Sequence, residues 1–142
     1  MLTEASSLLK KYFGYDQFRN GQARIIEQVL QGIDTLGIMP TGGGKSICYQ
    51  IPAMMLPGVT LVISPLISLM KDQVDSLDQA GIPATFINSS LSTSEVSDRL
   101  YDLQQGVYKL LYLAPERLEA HGFIEEIRRL PIGLIAVDEA HC

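Results

Sequence analysis

Thr41-Gly42-Gly43-Gly44-Lys45-Ser46 decides the fold, because it is a glycine-rich turn set between two segments of different character. Before it, residues 34–39 are short and apolar enough for a β-strand. After it, Lys45 opens a stretch patterned as a helix. Three glycines let the backbone approach a ligand closely and aim its N–H groups inward. Those donors and the helix N-terminus together make a cradle for anionic phosphate. In such a loop the lysine reaches the β/γ-phosphates and the hydroxyl binds Mg²⁺, which assigns Lys45 and Ser46. The general loop begins with a glycine where this chain has Met39, so the strict pattern fails at its first residue.

Outward from the loop, helical and strand signals alternate. Residues 3–12 are read as a first helix capped by Thr3, and residues 21–31 as a second. In the second, Ile25, Ile26, Val29 and Leu30 share a face and Gly32 stands at the C-terminal glycine position. Val59-Thr60-Leu61-Val62-Ile63 is an apolar, β-branched run of the kind found in parallel sheets covered on both faces. Ser64-Pro65 then reads as an N-cap and a first helical proline, with a helix to about Gln79 that Gly81 ends. Leu66, Leu69 and Met70 are its core candidates. Residues 84–87 make a short strand. Ser92 and Glu95 have capping-box spacing for a helix to about Gln104. Residues 108–113 and 133–137 are the last two strands. This order implies an α/β fold with a mostly parallel sheet and helices on both faces.

The last strand, Leu134-Ile135-Ala136-Val137, runs directly into Asp138-Glu139-Ala140-His141. A buried strand ending in two carboxylates places them at the carboxyl edge of the sheet, where open α/β folds bind ligands. Asp138 suits Mg²⁺, and Glu139 suits the orienting and deprotonation of a water. An Asp-Glu pair after a strand is a weak signal alone and a strong one beside a phosphate loop. His121 has no such setting and is read as a surface residue.

Composition bounds the rest. The chain has 142 residues, with 16 Asp and Glu against 11 Lys and Arg, for a net charge of −5. That argues against gripping nucleic acid by bulk charge, because neutralising phosphates requires clustered Lys and Arg. Lys10-Lys11 and Arg128-Arg129 are the only adjacent basic pairs. Two cysteines, Cys48 and Cys142, make neither a disulfide framework nor a zinc site, and Cys48 is read as a small hydrophobe. No apolar run reaches the roughly 18 residues of a membrane span, and the start lacks a secretory pattern. The reading is a soluble, cytoplasmic protein.

The ordered set of motifs resembles the superfamily 2 helicases and, within them, the RecQ family. Phe13-Gly14-Tyr15-Asp16-Gln17-Phe18-Arg19-Asn20-Gly21-Gln22 resembles that family's motif 0. Cys48 to Ala53, Val62 to Val74 (motif Ia), Leu113 to Leu118 (motif Ib) and Asp138 to Cys142 (motif II) continue the likeness over essentially the whole chain. Members commonly lack the first loop glycine, so Met39 is no departure within the family.

The resemblance implies a P-loop NTPase of the RecA-like type. Residues 1–33 would form N-terminal helices with the adenine-recognition motif, and 34–142 part of the first RecA-like domain, together one structural domain. Tyr15 and Arg19 would sandwich adenine and Gln22 would bond its edge, while Thr41, Gly42, Gly43, Gly44, Lys45 and Ser46 hold the phosphates of ATP. Ser46 and Asp138 would bind Mg²⁺, Glu139 would act on water, and His141 would couple the ATP and nucleic-acid sites. Ser64, Ser68 and Arg117 would contact DNA phosphate. Phe13 and Phe18 are core anchors. The implied activity is a 3′-to-5′ DNA helicase acting on single-stranded and branched DNA in recombination and repair, with a second RecA-like domain in the same parent chain. The chain stops after motif II, so the resemblance makes it a piece of a longer protein, expected to fold poorly and to be inactive in isolation. A translocase without unwinding, an RNA-directed helicase and a nucleotide-dependent binding module are the competing readings, with a P-loop kinase remote.

Overall fold

A computed structural model describes residues 2–19, 21–33, 45–120 and 122–138. The expected strand at 34–39 lies outside them. The chain divides into two compact units, Met1–Pro57 and Gly58–Cys142.

The first unit is helical where described. Helix α1 (Leu2–Leu8) runs into a π-helical turn, Leu9–Phe13, which Gly14 ends in the left-handed region. This corrects the single helix expected over 3–12: the wider turn leaves Phe13, not Tyr12, packed with buried Leu9. Helix α2 (Gln22–Leu30) presents Ile26, and α3 (Ile47–Met55) presents Ile47 and Ile51, to a cluster that also takes Ala5, Phe13 and Phe18. Phe13 and Phe18 therefore serve as the core anchors expected of them. Helix α3 is buried from Ile47 to Ala53, and its Cys48 thiol is pushed up to about 11 by that burial. A thiol held protonated in this way is a packing group rather than a nucleophile.

The second unit is a parallel sheet. Its strands are β1 (Val59–Ile63), β2 (Ala84–Ile87), β3 (Leu110–Leu113) and β4 (Ile132–Val137), in the order β2-β3-β1-β4 among the described residues. The connections are α4 (Ile67–Gln79), α5 (Thr93–Gln104), and a 3₁₀ turn at Pro115–Glu119 followed by α6 (Phe123–Arg128). The connection from β1 to β2 travels across the sheet in one direction, and those from β2 to β3 and β3 to β4 travel in the other. Right-handed crossovers then place α4 on one face and α5 with α6 on the opposite face. Packing agrees, because Leu61, Ile87, Leu111 and Leu113 share a cluster with Val96, Leu100 and Leu103 of α5 and Phe123 and Ile127 of α6. The alternate residues Thr60, Val62, Leu110 and Tyr112 belong to the other face and are also buried. The α/β reading with a parallel sheet and helices on both faces is thus borne out.

Local signals explain most helix ends. Ser92 Oγ accepts from the Glu95 N–H at 3.1 Å, and Glu95 Oε1 accepts from the Ser92 N–H at 3.0 Å, completing the expected capping box. Gly81, at φ 92°, closes α4: its N–H reaches the Asp78 carbonyl and that of Ile82 reaches Leu77. This paired arrangement needs a left-handed residue, which glycine supplies without strain.

The start of α4 differs from expectation. Ser64 and Pro65 are not its N-cap and first residue. The Ser64 N–H bonds the Leu113 carbonyl at 3.1 Å, so Ser64 still extends the ladder. The chain then leaves through a tight turn centred on Leu66 (φ −87°, ψ 70°), closed by the Ile67 N–H on the Pro65 carbonyl, and helix begins at Ile67. That turn throws Leu66 outward. Leu66 and Leu69 are exposed (36% and 46%), which corrects their reading as core, while Met70 is buried as expected.

Candidate nucleotide and nucleic-acid site

In the first unit the π turn and Gly14 lead straight into Tyr15, which is half exposed. The Arg19 guanidinium lies 5.9 Å from the Tyr15 ring centre. Gln22, the first residue of α2, is buried, and its Oε1 accepts from the Arg19 main-chain N–H at 2.7 Å. The three motif 0 residues are therefore one linked group. Lys45 and Ser46 precede α3, with the Lys45 carbonyl accepting from Cys48 and the Ser46 carbonyl from Tyr49 and Gln50. The Ser46 side chain makes no cap bond to its own helix. Thr41, Gly42, Gly43 and Gly44 lie outside the described residues, as do Glu139 and His141, and His121.

In the second unit the functional candidates line up at the carboxyl edge of the sheet. Asp138 follows β4, and its N–H donates to the Ile63 carbonyl at 2.8 Å. Ser64 follows β1 and donates to the Leu113 carbonyl. The ends of β3, β1 and β4 are thus in register, with Ile63 paired to both Leu113 and Val137. Adjacent strands lie about 4.8 Å apart, so Asp138 and Ser64 are near neighbours at the edge where ligands enter such folds. Ser68 is exposed in the first turn of α4. The buried Ser64 turns its Oγ to the Leu66 N–H (3.2 Å).

Arg117 sits in the 3₁₀ turn after β3, its guanidinium 4.8 Å from the Phe123 ring centre. Its Nε is buried without a hydrogen-bond partner among the described residues. It borders a cavity of about 170 Å³ whose walls also include Thr93 and Ser97 of α5 and Glu126 of α6. An orphaned guanidinium N–H beside a polar cavity suits an acceptor oxygen.

Sequence reading missed Asn88, the polar residue that ends β2 at this same edge. It is buried, its Oδ1 accepts from the Ser90 N–H (2.9 Å) and Oγ (2.6 Å), and its Nδ2 contacts Met70 Sδ at 3.8 Å. The signal was present: Asn88-Ser89-Ser90 directly after an apolar strand is an Asx-turn pattern. Among the described residues no three His, Cys, Asp or Glu side chains gather as a metal site. A lone carboxylate fits Mg²⁺, which takes one or two carboxylates together with substrate phosphates and keeps its waters.

A glycine-rich loop in the sequence, an acid at a strand end and a parallel sheet are the marks of a P-loop nucleotide-binding domain. Residues 19–142 match the DEAD/DEAH box helicase family, and the chain belongs to that family. Its relatives narrow the class. It is 57% identical to the ATP-dependent DNA helicase RecQ of Bacillus subtilis, over 100% of this chain and 24% of that protein. It is 51% identical to the ATP-dependent DNA helicase RecQ of Haemophilus influenzae, over 97% of this chain and 22% of that protein. The probable ATP-dependent DNA helicase RecS of Bacillus subtilis is 44% identical, over 99% of this chain and 28% of that protein. The RecQ resemblance read from the motifs is thereby borne out. The chain spans about a quarter of the length of the curated relatives it matches. No helix among the described residues is long and apolar enough to cross a membrane.

Proposed function

We propose that this chain is the N-terminal ATP-binding part of a RecQ-type 3′-to-5′ DNA helicase, which couples ATP hydrolysis to strand separation in recombination and repair. The observation that carries the proposal is the row of strand ends at the carboxyl edge, with Asp138 beside Ser64. The substrates are single-stranded and branched DNA, and the protein works in the cytoplasm, on the nucleoid in a bacterium.

The residues divide the work by their chemistry. Gly42, Gly43 and Gly44, with Thr41, offer backbone donors to the phosphates, and Lys45 offsets their charge. The Ser46 hydroxyl and Asp138 would hold Mg²⁺, which would supply neutralisation of the charge that develops on the transferred phosphoryl group. The Ser46 side chain suits this role because it is not consumed in capping α3. Glu139 orients water and accepts its proton, and His141 passes the state of the site to the DNA. A second RecA-like domain adds an arginine, worth about 10³–10⁵ in rate in related NTPases. Without it this segment hydrolyses ATP very slowly and unwinds nothing.

Tyr15 and Arg19 take the adenine between them. Two stacked contacts of about 3.5 Å each require a gap of about 7 Å, against the 5.9 Å between guanidinium and ring centre. The two groups would have to part by about 1 Å to admit a base. Gln22, oriented by the Arg19 N–H, reads the base edge. On the DNA side, Ser68 in the first turn of α4, Ser64 and Arg117 contact backbone phosphate. Such local contacts suit an acidic chain better than a bulk basic surface.

Replacing Lys45 by Ala in the full-length protein tests the loop assignment. Loss of both ATP hydrolysis and unwinding is expected. Normal activity in that variant would overturn it.

A further inference from the structure

We infer that Asp78 and Arg99 shut the outer edge of β2 against addition of another β-strand. Among the described residues β2 ends the sheet. Its odd-numbered carbonyls face β3: Pro83 accepts from the Lys109 N–H, and Ile87 from the Ala114 N–H. Backbone groups alternate sides along a strand, so those of Ala84, Phe86 and Asn88 point outward. An exposed row of that kind is a template for pairing with another chain.

Here one outward backbone group of each of these residues is occupied. The Ala84 N–H donates to Asp78 Oδ1 at 3.3 Å, the Phe86 carbonyl accepts from Arg99 Nη1 at 2.6 Å, and the Asn88 carbonyl accepts from the Leu91 N–H at 3.3 Å. The two side chains come from opposite faces of the sheet, Asp78 from α4 and Arg99 from α5. Arg99 also passes around the edge. It starts from the α5 face, and its guanidinium lies 4.6 Å from the ring centre of Phe86, which shares the α4 face with its ladder partner Tyr112. Asp78 stands in the last turn of α4, where a carboxylate opposes the helix dipole. Its bond to Ala84 accounts for an acid at that position. An arriving strand would have to displace both charged groups from the hydrogen bonds they hold and leave a carboxylate and a guanidinium at the new interface.

The test is self-association of the full-length protein by sedimentation. Asp78→Ala with Arg99→Ala keeps the net charge. A charge-matched control, Glu125→Ala with Arg128→Ala, removes an exposed ion pair on α6. The edge pair is expected to at least double the weight-average mass relative to the unchanged protein as concentration rises, while the control stays at the unchanged mass. A folded edge variant with the unchanged mass overturns the inference. If the double variant loses its cooperative melt, Arg99→Ala, read the same way, decides.

Discussion

The two outer strands of the described sheet are built on opposite plans. On β2 the outward Ala84 N–H and Phe86 carbonyl are met by side chains, the Asn88 carbonyl just beyond by a turn, and Ala84, Thr85 and Ile87 are buried. On β4 burial alternates, and the exposed positions include Ile135 (58%) and Val137 (60%). A strand that is apolar on both faces is the mark of a parallel strand covered on both sides, whereas β4 is covered on one. The difference teaches that hydrophobic pattern locates a strand without revealing how its surroundings treat each edge. The closed edge depends on Asp78 and Arg99, distant in sequence and unremarkable in any local pattern.

The comparison breaks most severely at Gly58. It joins β1 to the entry of β4, with φ +82°, and an added Cβ would overlap the Pro131 carbonyl oxygen, which accepts from the Val59 N–H. Gly58→Ala is expected to cost more than about 2 kcal/mol from clash and left-handed strain together. Chemical denaturation should show this loss; an unchanged midpoint would mean that β4 does not depend on that close approach.

A middle effect belongs to the β2 side, where the Ser92 cap starts the helix that carries Arg99. Ser92→Ala should cost about 1 kcal/mol. Glu95 is held below the usual carboxylate range, chiefly by the backbone and side chain of Ser92. A folded pKa below the unfolded one means its contribution is full above the unfolded value and is lost as pH falls through the folded one. The gap in melting temperature between the protein and Glu95→Gln should therefore close on acidification below the ordinary glutamate range. A gap that is constant with pH would sink the charged capping box.

The smallest effects sit on the exposed face of β4. Ile135→Thr and Val137→Thr should each change the stability of the full-length protein by less than about 0.5 kcal/mol, and a larger loss in its denaturation curve would show that the rest of the protein covers this face.

Much of the fold was legible because it rests on neighbours in sequence. Strands 59–63 and 84–87 were read to the residue, and the capping box and the Gly81 stop follow from local rules. The start of α4 was not legible, since Ser64 is claimed by the β3 ladder before it can cap a helix. Nor was the exposure of Leu66 and Leu69, which follows from that displaced start, or the π turn before motif 0. For the site, Asp138 at a strand end was readable from an apolar run closing in acids. The link from the Arg19 N–H to Gln22, and the orphaned Nε of Arg117, needed atomic positions.

ATP hydrolysis by the full-length protein, measured with and without single-stranded DNA and with RNA of the same sequence, tests the central claim most directly. The account predicts strong stimulation by DNA, weaker stimulation by RNA, and loss of both in Glu139→Gln. Hydrolysis indifferent to DNA, or driven harder by RNA, would contradict it.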